Sequence, residues 1–482
     1  MAMASRHQQS AAAAAAAEPP VTVRGDAADP SASRLAQAAR DAEFRQLYRE
    51  APDFKELSRR DPAFAAVARG RELDFDDAES VVQLTKTLLA LDFGLRIELP
   101  RDRLCPPVPN RHNYVLWLKG LLDTSSYDAP GRPLVGVDVG TGASCIYPLL
   151  ACAQRPWSFI ATEVDAESAR WARRNVESND LAGRIRVVER AADDALLPLD
   201  DLGLGAVDFC MTNPPFYASE AAMRASAEKK ARPPHAVCTG ATTEMVTDGG
   251  ELGFVGRILD ESLALRGRVR WYSAMLGFLS SAVDLVARLG REGVANFAVA
   301  ELVQGSKTRR WVVAWSFGPM RPAQHVARGT KAGSAKGGSI LPAATEFETT
   351  VPTPASVGAF ARRLRDTIGA LHLLSWRWDE EAMRGHGRAV DRVWARAWRR
   401  KRKRETEGVP AGGRGEAAEE DEARCSFGFM VEVRVAVDAV AVRCRWVEGF
   451  DAVTFESFQG FLKASVASAL EADAPRTRRA ET

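Results

Sequence analysis

Residues 134–144 have the sequence LVGVDVGTGAS, in which an apolar run ends at two closely spaced glycines. The run 134–139 predicts a buried strand. Gly140 and Gly142 allow the backbone to turn sharply after it and to approach a ligand closely. A glycine-rich turn between a strand and a helix is typical of α/β proteins that bind a nucleotide-like cofactor. This stretch therefore predicts the first strand and the first turn of such a fold.

Strand and helix patterns alternate downstream of this turn. Four further apolar runs predict strands, at residues 158–164, 185–189, 207–212 and 269–275. Residues 296–302 and 309–317 predict a closing pair of strands joined by a short loop. Together these elements predict a doubly wound, mostly parallel, seven-stranded sheet with an antiparallel strand at one edge.

Composition shifts divide the rest of the chain. Apolar residues at helical spacing begin near Leu35 and predict a helical extension before the sheet. The predicted segments are a disordered tail 1–34, the helical extension with the α/β domain 35–318, a linker 319–342, a small α+β domain 343–472 with a disordered acidic insertion 405–423, and a tail 473–482.

Charge and cysteine usage exclude several classes of protein. The net charge is only +2, but residues 384–404 form a strongly basic block. The 7 cysteines form no CxxC pair and no Cys/His cluster with zinc-ligand spacing, so we expect reduced thiols and no metal. The sequence contains no apolar run of membrane-spanning length. Its start lacks the basic and Leu-rich regions of a secretory signal, and a transit peptide remains compatible with it.

Acidic residues at the strand ends indicate the kind of cofactor. Asp138 lies two residues before Gly140, which suits the ammonium group of S-adenosylmethionine. A dinucleotide loop has the pattern G-x-G-x-x-G, and position 145 is Cys. Glu163 ends the second strand and can accept ribose hydroxyls from either cofactor class. Asp193 and Asp194 follow the third strand, where they fit either an acceptor for the cofactor's adenine amine or a helix N-terminus.

The tetrapeptide Asn213-Pro214-Pro215-Phe216 follows the fourth strand directly. Two prolines stiffen the backbone and remove two N–H donors, which leaves carbonyl oxygens free to face a pocket. The Asn213 side chain and the Pro214 carbonyl can both accept from one NH₂ group and so orient its lone pair, while Phe216 can stack on the ring. The pattern fits methylation of adenine amines, cytosine amines or glutamine amides.

Several longer segments resemble the eukaryotic adenine-N6 methyltransferases of U6 small nuclear RNA, whose bacterial relatives methylate an adenine of large-subunit ribosomal RNA. The segments that carry this resemblance are APDF at 51–54, LLALDFGL at 88–95, DVGTGASCIYPLL at 138–150, ATEVD at 161–165, DFCMTNPPF at 208–216, TEM at 243–245, GGEL at 249–252, RWYS at 270–273 and WVVAWSF at 311–317. The resemblance implies a class I (Rossmann-like) methyltransferase fold, S-adenosylmethionine as cofactor and a structured RNA with an unpaired target adenine as partner. It also implies a nuclear protein, with some cytoplasmic presence, and leaves its protein partners unknown.

The same resemblance assigns roles to residues. It implies that Asn213, Pro214, Pro215 and Phe216 hold the target adenine. The cofactor site would comprise Arg103, Asp138, Gly140, Thr141, Gly142, Glu163, Asp194 and Asn213. A basic loop at Lys229, Lys230 and Arg232 would meet RNA. The sequence departs from the family at Asp193 and Asp194, where the family's best-known members carry Lys-Thr, so regulation through a loop lysine is not expected here.

The basic block predicts a helix with arginines at every fourth position from Arg384 to Arg404. We expect Arg392, Arg396, Arg399 and Arg400 to bind RNA phosphates, because repulsion along this row favours an anionic partner. Residues 399–404 also match a nuclear-import signal, and a solvated charged helix is the alternative. The function predicted is therefore RNA adenine-N6 methyl transfer, with a protein glutamine-N5 methyltransferase and a non-catalytic RNA-binding scaffold as alternatives.

Overall fold

The computed structural model describes residues 30–70, 72–228, 242–304, 308–329, 340–407 and 425–472. Most of the predicted N-terminal tail, most of the acidic insertion, the tail 473–482 and residues 330–339 of the linker lie outside these ranges. The first helix begins at Pro30, so residues 30–34 are helical where the sequence predicted disorder. Proline suits the first turn of a helix, and the alanines that follow favour helix.

Five helices form the predicted N-terminal extension: α1 (Pro30–Gln46), α2 (Phe54–Arg60), α3 (Pro62–Val67), α4 (Ala78–Phe93) and α5 (Val108–Thr124). Aspartate side chains cap three of them, because Asp53, Asp61 and Asp77 each accept from backbone N–H groups of the first turn. Gly94 ends α4 at a φ of 66°, in the left-handed region that favours glycine.

A buried ion cluster ties α1 to the rest of the structure. The Asp41 carboxylate lies 2.7 Å from Lys119 Nζ on α5 and 2.8 Å from the Arg155 guanidinium, which also pairs with Asp123. Because all of these groups are largely out of water, removing any one of them would leave an uncompensated charge. The extension therefore packs firmly on the α/β layer.

The main sheet contains the seven predicted strands and a short eighth. They are β1 (Val135–Val139), β2 (Ser158–Glu163), β3 (Ile185–Glu189), β4 (Val207–Thr212), β5 (Val269–Leu276), β6 (Asn296–Gln304), β7 (Thr308–Ser316) and β8 (Arg328–Gly329). Their order is β3-β2-β1-β4-β5-β7-β6-β8. The prediction of an antiparallel strand at the edge was wrong in position. The antiparallel strand β7 lies between β5 and β6, because the hairpin folds back and inserts its second strand beside β5.

Helices cover both faces of this sheet, as a doubly wound fold requires. One face packs on α4, α5, α6 (Ile146–Gln154) and α7 (Ala166–Glu177), and the other on α10 (Gly250–Leu265) and α11 (Leu279–Arg291). Two short helices, α8 (Glu220–Glu228) and α9 (Thr242–Met245), lie between β4 and α10. Gly136 of β1 has no room for a side chain, since a Cβ atom there would lie 2.3 Å from the Phe209 ring of β4. Among the described residues, no helix has both the length and the apolar character needed to cross a bilayer.

The C-terminal unit is an antiparallel sheet with helices on one face. Its elements are β9 (Glu346–Pro352), α13 (Val357–Gly369), β10 (Ser375–Asp379), β11 (Arg384–Ala389), α14 (Arg396–Glu407), β12 (Phe427–Val435), β13 (Ala439–Glu448) and α15 (Ala452–Glu471). The strand order is β10-β11-β12-β13-β9. Phe360, Phe429 and Phe458 lie in its core, and none of the three is exposed to solvent. The α+β character that the sequence predicted is therefore present.

The single basic helix predicted from Arg384 to Arg404 was wrong in its first half. Arg384 and Arg388 lie on β11, where they pair with Glu432 and Glu448, and the helix begins only at Arg396. The local reason is the glycine alternation: Cβ atoms at Gly385 and Gly387 would lie 2.2 Å from Trp376 and 2.3 Å from Phe429. These rings need glycine beneath them, and this packing outweighs the fourfold spacing of the arginines.

The first part of the predicted linker is packed structure. Residues 324–329 form α12 (Gln324–Ala327) and β8, and β8 pairs with β6. Arg321 is 3% exposed, and its guanidinium donates to the carbonyls of Ala295, Gly449 and Phe450. It also stacks over Trp446, 4.2 Å from the ring centre. This arginine thus joins the α/β layer to the C-terminal sheet.

Candidate active site

A cavity of about 300 Å³ opens at the carboxyl ends of β1 to β4, the edge where ligands bind in doubly wound sheets. The loops after these four strands line it, together with residues 244–257 and part of the N-terminal extension. Six of the eight predicted cofactor residues line it, namely Gly140, Thr141, Gly142, Glu163, Asp194 and Asn213. The other two, Asp138 and Arg103, are not in its wall. Pro214 and Pro215 of the tetrapeptide also line it.

The glycine turn has the geometry that the sequence implied. Gly140 and Gly142 have φ angles of 72° and 67°, a region that favours glycine. The N–H groups of Gly140 and Thr141 donate to the Thr162 carbonyl at 3.1 and 2.9 Å, which fixes the turn over the end of β2. This leaves the loop backbone facing the cavity at the start of α6.

Asp138 is fully buried directly behind this turn. Neither of its carboxylate oxygens has a hydrogen-bond partner among the described residues, and the nearby Thr141 hydroxyl donates to Cys145 Sγ. Burial raises the pKa of the Asp138 carboxyl to about 7, with Glu163 adding to the rise and Arg111 opposing it. An unpartnered buried acceptor is costly, so the site fits a ligand that brings a donor such as an ammonium group.

Glu163 is held by backbone donors at the end of β2. Gly142 N–H donates to one carboxylate oxygen at 2.8 Å, and Val164 and Asp165 N–H donate to the other at 2.9 and 3.0 Å. Burial raises the pKa of this carboxyl, although the three N–H groups act in the opposite direction. A carboxylate has about four acceptor positions, so roughly one remains for a ligand hydroxyl.

The two explanations for Asp193 and Asp194 are separated by the local structure. No helix begins there, so the helix N-terminus alternative is wrong. Asp194 accepts from Ala191 N–H at 2.8 Å and lies 3.4 Å from the Arg190 guanidinium, which closes a tight turn against the cavity. Asp194 lies in the cavity wall, whereas Asp193 does not.

Arg103 is directed away from the cavity. Its guanidinium contacts Asp165 at 3.2 Å and Glu167 at 3.1 Å, at the start of α7, and it is absent from the cavity wall. Arg111 of α5 lines the cavity instead and is 6% exposed. Among the described residues Arg111 forms no ion pair, and its guanidinium lies 5.5 Å from the Tyr147 ring centre. The sequence analysis missed Arg111, which is the arginine of the extension that an anionic ligand group would meet.

The tetrapeptide begins where β4 ends. Asn213 Oδ1 is buried and has no hydrogen-bond partner among the described residues, so an acceptor faces the cavity without a donor. Pro214 and Pro215 form the adjoining wall. Asn213 therefore gives an unpartnered acceptor in the cavity wall, and Asp138 gives a second one buried behind the glycine turn that lines the same cavity, which suits a ligand and an amine substrate that meet there.

Phe216 lies beyond this wall, below an arginine that the sequence analysis also missed. The Arg310 guanidinium of β7 is 5.3 Å from the Phe216 ring centre, and burial lowers its pKa. Gly277 makes room for the ring, since a Cβ atom there would lie 3.1 Å from Phe216 Cδ1. Buried Glu251 holds the same loop by accepting from Gly277 N–H at 2.6 Å. The sequence shows two adjacent arginines, Arg309 and Arg310, in a predicted strand. Alternation along a strand puts them on opposite faces but does not show which of the two faces the site.

The predicted RNA-binding residues are not brought together by the described structure. Lys229, Lys230 and Arg232 lie outside the described residues. Arg392 contacts Asp451 and Thr454 at the start of α15, whereas Arg396, Arg399 and Arg400 are exposed on α14. These roles stay predictions.

A family model described as RNA methyltransferase matches residues 36–319. The chain belongs to this family. The expected class I methyltransferase fold is confirmed by the sheet order and by the likeness to the hMettl16 catalytic domain in complex with MAT2A 3′UTR hairpin 1. That structure is 42% identical with a TM-score of 0.51, over 56% of this chain and 94% of the other.

Curated relatives match the same part of the chain. The U6 small nuclear RNA (adenine-(43)-N(6))-methyltransferase of Schizosaccharomyces pombe is 41% identical, over 55% of this chain and 66% of that protein. The RNA N(6)-adenosine-methyltransferase METTL16 of Homo sapiens is 43% identical, over 55% of this chain and 48% of that protein. The chain thus matches between about half and two thirds of the length of these relatives.

Proposed function

We propose that this chain transfers a methyl group from S-adenosylmethionine to N6 of an unpaired adenine in a structured RNA, with U6 small nuclear RNA as its substrate. The observation that carries the proposal is a pair of unpartnered buried acceptors in an RNA methyltransferase family member: Asn213 in the cavity wall, and Asp138 behind the glycine turn that lines the same cavity. The names of the relatives supply the adenine and the RNA.

Bound S-adenosylmethionine would supply an electrophilic methyl group. In this proposal Asp138, buried behind the glycine turn, would accept from its ammonium group, Glu163 from a ribose hydroxyl, and the Asp194 turn would pack against the cofactor's adenine, since Glu163 and Asp194 line the cavity. Arg111 faces the same cavity and suits the cofactor carboxylate better than Arg103 does.

Asn213 would hold the substrate. Its Oδ1 and the Pro214 carbonyl accept the two hydrogens of the adenine amine, which turns the nitrogen lone pair towards the methyl group. The new N–C bond forms as the S–C bond breaks, and the nitrogen then loses a proton to solvent. Because the amine becomes cationic only during transfer, fixed acceptors stabilise the transition state more than the ground state.

The alternatives are less well supported. The family match to RNA methyltransferases disfavours a protein glutamine substrate. A scaffold without catalysis would have no reason to keep unpartnered acceptors in an enclosed cavity. We also propose a nuclear location, since the relatives act on U6 small nuclear RNA by name and residues 399–404 match an import signal.

The test is methylation of an RNA hairpin that presents the sequence around adenine 43 of U6 in its loop, with mass spectrometry of the released nucleosides. Wild-type protein should yield N6-methyladenosine, and the same adenine in a perfect duplex should react far more slowly. Asn213→Ala should lower the single-turnover rate by on the order of 10²-fold or more while RNA affinity stays close to wild type. A near wild-type rate for Asn213→Ala would contradict the assigned role, and transfer to glutamine peptides instead would overturn the substrate.

A further inference from the structure

Two aromatic rings meet beside the tetrapeptide, at the loop after β5. Phe278 lies between β5 and α11, and 42% of this large side chain is exposed. Its ring packs edge-to-face against Tyr217, the residue after Phe216, at 6.4 Å between ring centres and 68° between planes. An exposed phenylalanine next to the tetrapeptide leaves an apolar face available for a planar ligand.

The backbone beneath both rings is fixed. Glu251 accepts from Phe278 N–H at 3.1 Å as well as from Gly277 N–H, and its carboxylate is buried. Tyr217 N–H donates to the Met245 carbonyl, and the Tyr217 carbonyl accepts from Thr247 N–H, both at 3.0 Å. Because the rings are already held in place, a ligand that stacks on them would lose little binding free energy to ordering.

A cation lies beside this aromatic pair. Arg310 covers the Phe216 ring, and in the described part of the chain it forms no ion pair, while its guanidinium donates to the Arg309 carbonyl at 2.9 Å. Aromatic faces next to an unpaired guanidinium are the combination that recognises unstacked bases and their phosphates in single-stranded RNA. An apolar protein segment would need no cation there.

We propose that Phe278, supported by Tyr217, stacks on a nucleobase that directly flanks the target adenine. The inference rests on the proposed function. An adenine that leaves its stack to enter the cavity also exposes the face of its neighbour, and that face needs a new partner. Phe278 follows Gly277, which lies against the Phe216 ring of the tetrapeptide, so this exposed ring replaces the lost stacking contact and positions the strand.

The experiment compares Phe278→Ala, Phe278→Trp and the control Phe450→Ala, an exposed phenylalanine of the C-terminal unit. The probe is the U6 hairpin, intact or with an abasic site on either side of the adenine. Phe278→Ala should raise KM for the intact hairpin roughly tenfold with kcat little changed, because stacking is lost equally from the bound and transition states. Phe278→Trp and Phe450→Ala should stay near wild type.

The abasic hairpins provide the decisive comparison. For wild-type protein one abasic hairpin should show the same rise in KM, and Phe278→Ala should add nothing further on that RNA. A wild-type KM for Phe278→Ala on the intact hairpin, or an undiminished effect on both abasic hairpins, would overturn the stacking site. Fluorescence anisotropy of the same RNAs without cofactor gives the comparison independently of catalysis, so a failure of methyl transfer alone counts against the proposed function and not against this site.

Discussion

Among the described residues, neither the buried carboxylate of Asp138 behind the glycine turn nor Oδ1 of Asn213 in the cavity wall has a protein donor, although nearly all buried polar groups in folded proteins are satisfied. Each unpaired group destabilises the empty protein by roughly 1–3 kcal/mol. A ligand that supplies the missing donors removes this cost when it binds. Two residues, Asp138 near the end of β1 and Asn213 after β4, therefore determine which ligand groups the site can bind.

The pKa of Asp138 gives a pH dependence with a definite sign. Its carboxyl titrates at about 7, so it is mostly protonated at pH 6 and mostly ionised at pH 8. Only the ionised form attracts an ammonium group, and the affinity for S-adenosylhomocysteine should fall up to about tenfold per unit as the pH drops below 7.

Calorimetric titration between pH 5.5 and 7 checks this expectation. Asp138→Asn should bind more weakly near pH 7 and lose most of the pH dependence, and Glu163, whose pKa is also raised by burial, would contribute to what remains. An unchanged slope in Asp138→Asn would show that another group controls it. In the absence of ligand the raised pKa has the opposite consequence, since the stability of the fold decreases as the pH rises from about 4 to 7.

Sequence patterns predicted the site residues that lie at strand ends. They did not predict Arg111 and Arg310, whose position at the site depends on tertiary packing. Asp138 and Asn213 are next to strand ends that apolar runs define, so their place at one sheet edge follows from the parallel order. Arg103 and Arg111 both lie in the extension before β1, and nothing in the local pattern says which faces the cavity. That choice is made by the carboxylates of α7, which hold Arg103 away from it.

At the level of elements, the basic block shows how packing overrides periodicity. Fourfold arginine spacing predicts a helix, but the alternating glycines of β11 accept the rings of Trp376 and Phe429. As a result Arg384 and Arg388 pair with glutamates of the sheet. Within the described part of this basic block, the exposed arginines lie on α14. Three of the five strands of this sheet, β9, β10 and β11, were not predicted, because short polar strands become strands through their neighbours.

The exposed part of α14 should contribute phosphate contacts. Replacing Arg396, Arg399 and Arg400 with Gln keeps helix propensity and removes three charges. We expect weaker RNA binding and a salt dependence whose log–log slope falls by up to about 2.1–2.7, at about 0.7–0.9 for each of three lost contacts.

The matched control is Arg384→Gln, because Glu432 keeps a second partner in Arg434 and the sheet should stay intact. Titrations of the U6 hairpin at several salt concentrations give the slopes. If the triple variant keeps its slope and affinity but no longer enters the nucleus, the block serves import alone.

On the scale of the whole molecule, Arg321 sets how the two sheets are joined. The sequence predicted a linker of small and polar residues at 319–342, and composition gave no sign that one arginine in it is buried. Arg445 of β13 adds a second connection by donating to the carbonyls of Thr124 and Arg321, and Tyr127 donates to Glu448 at 3.0 Å. These contacts place the C-terminal unit in a defined position against α5.

Arg321→Met should loosen this junction. The variant keeps side-chain volume over Trp446 but removes the donor to the carbonyls of Ala295, Gly449 and Phe450, of which Gly449 is the buried residue, at a cost of roughly 1–3 kcal/mol. Differential scanning calorimetry should show the C-terminal unit unfolding at lower temperature and separately from the α/β layer. Arg443→Ala, which removes an exposed pair with Glu348, should change little. Equal thermograms for the two variants would mean that the junction does not couple the units.

The short strand β8 has a consequence for any fragment of this chain. It pairs with β6 at Val299 and Ala300, and Gly329 approaches Ala300 so closely that a Cβ atom there would lie 2.9 Å from it. A fragment cut at residue 318, where the α/β pattern ends, would lose β8 and uncover the backbone donors and acceptors of β6. Open strand edges recruit other chains, so such a fragment would tend to self-associate through that edge, whereas one extended to residue 329 carries its own protecting strand.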